Sequence, residues 1–164
     1  AMKPCPCGPL GEPAARCRCT PDRIAAYRAR ISGPLLDRID LHVEVPRVTT
    51  AEISSADRGE STAVVAARVA AARELQFERQ ARANTRLEGA SVLEFVRADA
   101  AAMSLLGTAM QRLALSARAY HRVLRVARTI ADLAQCDTVR RDHVAEAVSY
   151  RHLDRRIGGT PISA

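Results

Sequence analysis

Four cysteines near the start of the chain form two Cys-x-Cys pairs. Cys5 and Cys7 are separated from Cys17 and Cys19 by nine residues that include two glycines and two prolines, so the loop can fold back on itself. Four thiolates brought together in this way match the ligands of a tetrahedral structural zinc site. The alternatives are four free thiols in a flexible loop and two disulfides, which a reducing compartment disfavours. The zinc interpretation is favoured, and such a metal would brace the loop.

Arg38 is a second residue whose position could support chemistry. It lies between a Ser-Gly-Pro turn at residues 32–34 and an alternating apolar run that predicts a strand over 39–45. A guanidinium on a rigid junction could reach phosphate in a neighbouring subunit, as an arginine finger does. The flanking Asp37 and Asp40 also allow an ordinary exposed ion pair, and the residues alone favour that interpretation.

A third group of cationic side chains lies on a helix predicted from Ser116 to about Leu133. Ser116 can cap this helix, which places Arg118 in the first turn, where the backbone amides attract anions. Further along the helix, Arg122, Arg125 and Arg128 are candidates for the surface or for contact with DNA. The residues alone favour a solvated arginine face.

The elements that must position these residues are mostly helical. Residues 1–46 carry the cysteine loop, a short helix that Thr20 caps, and the single strand; residues 47–60 have a linker's composition. Apolar periodicity predicts about four helices over 61–157, namely 61–82, 99–113, 116–133 and 138–152, before a tail at 158–164. The predicted fold is therefore mainly α, a helical bundle preceded by a smaller α/β fragment.

Composition limits the classes of function. The chain has 164 residues, 48% of them hydrophobic, which is enough for a core, and no apolar stretch long enough for a membrane span. We therefore expect a soluble, cytoplasmic protein. The net charge of +7, carried almost entirely by arginine, suits phosphate partners, but only 3% of residues are aromatic and none form a base-stacking platform. No Gly-rich phosphate loop is present, so the chain is not expected to hydrolyse ATP by itself.

Three blocks of sequence resemble one known family. They are MKPCPCG at the start, YRARISGPLLDRIDLHVEV at residues 27–45, and LSARAYHRVLRVARTIADL followed by HVAEAVSYR near the end. In this order they resemble the late part of magnesium-chelatase-like AAA+ ATPases of the ComM (YifB) family. The resemblance covers essentially the whole chain, although the family normally has Asn where Lys3 stands.

The resemblance implies a carboxy-terminal part of a larger ATPase. Residues 1–46 would end the AAA+ core, 61–157 would form the helical lid, Arg38 would be the arginine finger and Arg118 the sensor-2 arginine. The full-length protein would use ATP and Mg²⁺, with an upstream AAA+ core and a ring, expected to be hexameric, of identical subunits. Family members are understood as DNA helicases that promote branch migration in natural transformation. The alternatives are an ATPase subunit of a metal chelatase and an ATP-independent, zinc-braced adaptor or DNA-binding module.

Overall fold

The computed structural model describes residues 1–10, 17–46, 48–54 and 59–151, and they are mainly helical, as predicted. The chain forms two compact units, one containing Ala1–Ile39 and the other Asp40–His152. The helices are α1 (Pro21–Arg28), α2 (Gly33–Leu36), α3 (Thr50–Ser54), α4 (Thr62–Gln80), α5 (Ala90–Val96), α6 (Ala100–Arg112), α7 (Ala117–Leu133) and α8 (Arg141–Ser149), with a 3₁₀ turn at Asn84–Arg86. None of the described helices combines the length and apolar character that a membrane crossing requires.

The strand predicted over 39–45 is not formed. Residues 41–46 have no regular secondary structure, and the side chains of Leu41, Val43 and Val45 are 46%, 64% and 86% exposed. A strand requires a neighbouring strand along its length, and none of the described residues forms a ladder with this segment. Elsewhere in the described part, Ala98 and Val139 form an isolated parallel bridge. The prediction of a strand was therefore wrong for this chain.

Helix starts follow the capping rules in most places. The side chains of Ser61, Asp99 and Ser116 accept hydrogen bonds from the backbone N–H groups of Val64, Ala102 and Ala119 at 3.4, 2.7 and 3.1 Å. The start predicted at Thr138 was wrong, because the N-cap of α8 is Arg140. There the ring Nδ1 of His143 accepts a hydrogen bond from the Arg140 backbone N–H at 3.1 Å, which gives one N–H at the start of the helix a partner.

The core of the second unit is built around α7. Its Val123, Leu124, Ala127 and Ala131 are at most 1% exposed and pack in one cluster with residues of α5, α6 and α8. The alanines let neighbouring backbones approach closely, as dense packing requires. Helix α7 is therefore packed on several sides, which fixes the backbone positions from which its side chains extend.

Several predicted segments lie partly or wholly outside the described residues. They are residues 11–16 of the cysteine loop, parts of the linker at 47–60, and the end of the chain from residue 152, which includes the predicted tail at 158–164. Within the predicted linker, the described residues include the short helix α3.

Candidate functional site

The structure brings the four predicted cysteines of the first unit together. The Sγ atom of Cys7 lies 3.4 Å from that of Cys5, 3.7 Å from that of Cys17 and 3.2 Å from that of Cys19. The Sγ atoms of Cys5 and Cys17 are 3.8 Å apart, and all four lie within 4.8 Å of one another. Cys5 is buried, and all four are free thiols.

This geometry fits a tetrahedral metal site. With Zn–S bonds of about 2.3 Å, four sulfurs at the corners of a tetrahedron lie about 3.8 Å apart. Four of the six separations, at 3.2 to 3.8 Å, are close to that value, and none exceeds 4.8 Å. Gly8, at φ +103°, closes a turn in which its N–H donates to the Cys5 carbonyl at 3.1 Å, and this turn directs Cys5 and Cys7 to the same side. The four cysteines could therefore hold one metal ion.

The protonation of the cluster is uneven. The Cys19 thiol donates to the Cys7 sulfur, which lowers the pKa of Cys7 to about 7 and raises the pKa of Cys19 to about 11. A thiolate is therefore accessible at Cys7 near neutral pH, whereas Cys19 keeps its proton until a cation displaces it. Sulfur groups that share protons in this way release them when a metal binds.

Arg38 lies in the turn that follows α2. Ser32 caps this helix by accepting from the Leu35 N–H at 3.4 Å, and Pro34 occupies its first turn. Arg38 is exposed, and its Nη1 donates to the Pro34 carbonyl at 3.0 Å. A planar, permanently charged group is thus held against a short capped helix at the surface of the first unit, where it could bind phosphate.

Arg118 is the second residue of α7, in the second unit. It is exposed and makes no ion pair with any described residue. The Ser116 side chain occupies one N–H of the first turn, and the helix end adds partial positive charge beside the guanidinium. The arrangement suits an anion such as a nucleotide phosphate.

The remaining arginines of α7 are occupied within the second unit, which sequence reasoning missed. Arg128 is completely buried, so the hypothesis that it faces DNA was wrong. It donates to Asp132 and to the carbonyls of Val96, Cys136 and Asp137, and burial lowers its pKa from the usual value. The i, i+4 spacing of Arg128 and Asp132 was a signal that could have revealed this pair.

Arg122 and Arg125 converge on a single carboxylate. Arg122 Nη1 lies 2.5 Å from Asp40 Oδ1, and Arg125 Nη2 lies 3.8 Å from the same oxygen. Asp40 is one of the two carboxylates that an ordinary loop arginine at position 38 was expected to pair with. No local pattern could have predicted these contacts, since Asp40 and Arg122 are 82 residues apart.

Comparison with known families finds two matches that together cover most of the chain. The family described as "Magnesium chelatase, subunit ChlI C-terminal" matches residues 59–151, and "Magnesium chelatase, subunit ChlI" matches residues 1–53. The chain belongs to the magnesium chelatase ChlI family. This membership confirms the resemblance drawn from the sequence blocks, and it covers both the cysteine segment and the helical unit.

Curated relatives place the chain near ComM and YifB within the ChlI family. It is 47% identical to the uncharacterized protein YifB of Escherichia coli over 84% of the chain, and 38% identical to competence protein ComM of Haemophilus influenzae over 94% of the chain. It is also 41% identical to an uncharacterized protein of Mycobacterium tuberculosis over 95% of the chain. The chain spans only 28%, 30% and 31% of the lengths of these three relatives.

Proposed function

We propose that this chain forms the carboxy-terminal part of a ring-forming, cytoplasmic AAA+ ATPase of the ComM branch, a motor that acts on DNA. The observation that carries the proposal is the exposed Arg38 guanidinium, which directly follows a capped helical turn within the segment that matches the ChlI family. An arginine in this position has the charge, the planarity and the access that contact with a neighbouring subunit's phosphate requires.

The two exposed arginines have different roles in this proposal. Arg38 acts in trans, stabilising the charge that develops on the γ-phosphate in the adjacent subunit. Arg118 acts in cis from the first turn of α7, where it binds the nucleotide of its own subunit. ATP and Mg²⁺ are held by the upstream AAA+ core, and this chain supplies the groups that complete the site.

The four-cysteine cluster has a structural role in the proposal. Cys5, Cys7, Cys17 and Cys19 together fill the tetrahedral coordination of one Zn²⁺ ion, which leaves no open position for a substrate. The ion ties the two ends of the cysteine loop together. A reducing compartment keeps the thiols available for the metal.

The most specific part of the proposal is that the motor acts on DNA. The similarity to ComM, a competence protein, and the net charge of +7 support DNA branch migration during natural transformation. The ChlI family description favours a second candidate, the ATPase subunit of a metal chelatase. DNA-stimulated ATP turnover distinguishes the two, because a chelatase subunit has no reason to respond to branched DNA.

The test is ATP turnover by the full-length protein, with and without branched DNA, for wild type, Arg38→Ala and Arg23→Ala. Arg23 is an exposed arginine on α1 of the same unit and serves as the matched control. We expect DNA to stimulate turnover, Arg38→Ala to lose roughly a thousandfold or more, and Arg23→Ala to behave as wild type. Normal turnover in Arg38→Ala contradicts the finger, and absence of ATPase activity combined with tight, salt-sensitive DNA binding favours the ATP-independent adaptor.

A further inference from the structure

An ion pair links α7 to the residue that begins the second unit. Arg122 Nη1 and Asp40 Oδ1 are 2.5 Å apart, and Arg125 Nη2 approaches the same oxygen at 3.8 Å. The two arginines are three positions apart on the helix and therefore share a face. A single carboxylate is thus held by two cations from one helix.

The arginines are themselves well fixed. Their side chains are only 18% and 19% exposed, and Arg125 Nη1 donates to the Leu87 carbonyl at 3.0 Å. Donors that are already immobilised lose less conformational entropy on pairing than free surface arginines do. The ion pair therefore restricts mainly the conformation of Asp40, which is 48% exposed.

A second anchor lies two residues further along the chain. The backbone N–H of His42 donates to the Tyr150 carbonyl, the C-cap residue of α8, at 2.8 Å, and His42 is only 4% exposed. The next apolar side chains, Val43 and Val45, are 64% and 86% exposed. Asp40 and His42 therefore both attach this segment to the helices.

This short segment is joined covalently to the proposed finger. Arg38 precedes Asp40 by two residues, so their Cα atoms can be no more than about 7 Å apart. On α7, Arg122 lies one turn after Arg118, a rise of about 6 Å. The helix that carries the proposed nucleotide sensor therefore also holds the backbone next to the proposed finger.

We propose that Arg122, assisted by Arg125, is a positioning residue that ties the backbone of the finger segment to α7 through Asp40. This inference rests on the proposed function. A movement of α7 that follows the nucleotide state of one subunit then changes where that subunit presents Arg38 to its neighbour. The pair provides a mechanical link between successive ATP sites around the ring.

The anchor can be tested on the 164-residue chain without any ATPase assay. Amide hydrogen exchange is compared among wild type, Arg122→Gln, Asp40→Asn, the double variant and the control Arg73→Gln, which removes an exposed arginine from α4. The protected His42 N–H is the reporter. We expect exchange over residues 38–46 to be several-fold faster in both single variants than in wild type. The double variant should exchange no faster than the single variants, and the control should exchange as wild type does. Wild-type exchange in Arg122→Gln overturns the proposal.

The coupling is then tested by the kinetics of the full-length protein. We expect Arg122→Gln to lower kcat by about tenfold or more, to leave KM for ATP unchanged, and to add no further loss in an Arg38→Ala background. A loss that multiplies with that of Arg38→Ala, or an unchanged kcat, overturns the proposal. If the wild-type protein lacks ATPase activity, the proposed function fails together with the coupling, and the exchange result still decides whether the anchor exists.

Discussion

Arg79 on α4 and Asp132 on α7 form a bidentate ion pair, with Nη1–Oδ1 and Nη2–Oδ2 distances of 2.7 and 2.9 Å. Asp132 is 1% exposed, and its carboxylate also accepts from Arg128 Nε at 3.1 Å and Asn84 Nδ2 at 2.8 Å. Two arginines therefore depend on one buried anion. The position of α4 against α7 is set by this polar group rather than by apolar packing alone.

Replacing Asp132 by Asn should strongly destabilise the second unit. The change leaves the guanidinium of Arg128 buried and that of Arg79 nearly so, without their counter-ion, and breaking a buried pair in this way costs about 3–5 kcal/mol. The free energy of unfolding is measured by urea denaturation, followed by far-ultraviolet circular dichroism. The exposed Glu74→Gln on α4 should change it by less than about 0.5 kcal/mol. A loss below about 1 kcal/mol for Asp132→Asn would contradict this account.

The helices could be predicted from the sequence because their signals are local. The apolar period of 3.6 located α4, α6 and α7 to within a few residues, and the cap at Ser116 marked the start of α7. Helix α5 lies between two of the predicted helices, and it forms because Val92 and Val96 are buried in the core. Tertiary packing, rather than propensity, stabilises so short a helix.

The contacts between elements could not be predicted. The Arg79–Asp132 and Asp40–Arg122 pairs join residues 53 and 82 positions apart. Sequence periodicity relates only residues that are a few positions apart, so it cannot predict such pairs. Alternation over 39–45 indicated a strand, but a strand also depends on a partner that a local pattern does not specify. The cysteines were the exception, because two close pairs around a turn-rich loop restrict where the sulfurs can meet.

Metal binding should require the four clustered cysteines and not the fifth. We expect one Zn²⁺ per chain in wild type and in Cys136→Ser, since Cys136 belongs to the second unit and is not one of the four clustered cysteines. Cys7→Ser removes the ligand with three close sulfur neighbours and should weaken binding by at least about a hundredfold. Elemental analysis gives the stoichiometry, and competition with a chelator gives the affinity. Substoichiometric zinc in the reduced wild-type chain would count against the site.

Zinc affinity should rise with pH, more steeply below pH 7 than above it. Cys19, with a pKa of about 11, must release a proton throughout this range and contributes about tenfold per pH unit. Cys7, with a pKa of about 7, adds another tenfold per unit below pH 7 and little above it, because it is then already a thiolate. Chelator competition between pH 6 and 8.5 measures the slope. A pH-independent affinity would rule out ligation by thiols that bind the metal as thiolates.

Arg118→Ala in the full-length protein should raise KM for ATP, in contrast to the loss of kcat expected for Arg38→Ala. Arg118 is exposed at the first turn of α7, where it can bind phosphate in the ground state as well as in the transition state. One charge-assisted hydrogen bond is worth about 1.5–3 kcal/mol, which corresponds to an increase of about tenfold or more. Arg141→Ala is the matched control, since Arg141 is exposed at the first turn of α8 in the same unit. If Arg118→Ala and Arg141→Ala give the same KM as wild type, Arg118 is a surface arginine and nucleotide sensing lies elsewhere in the protein.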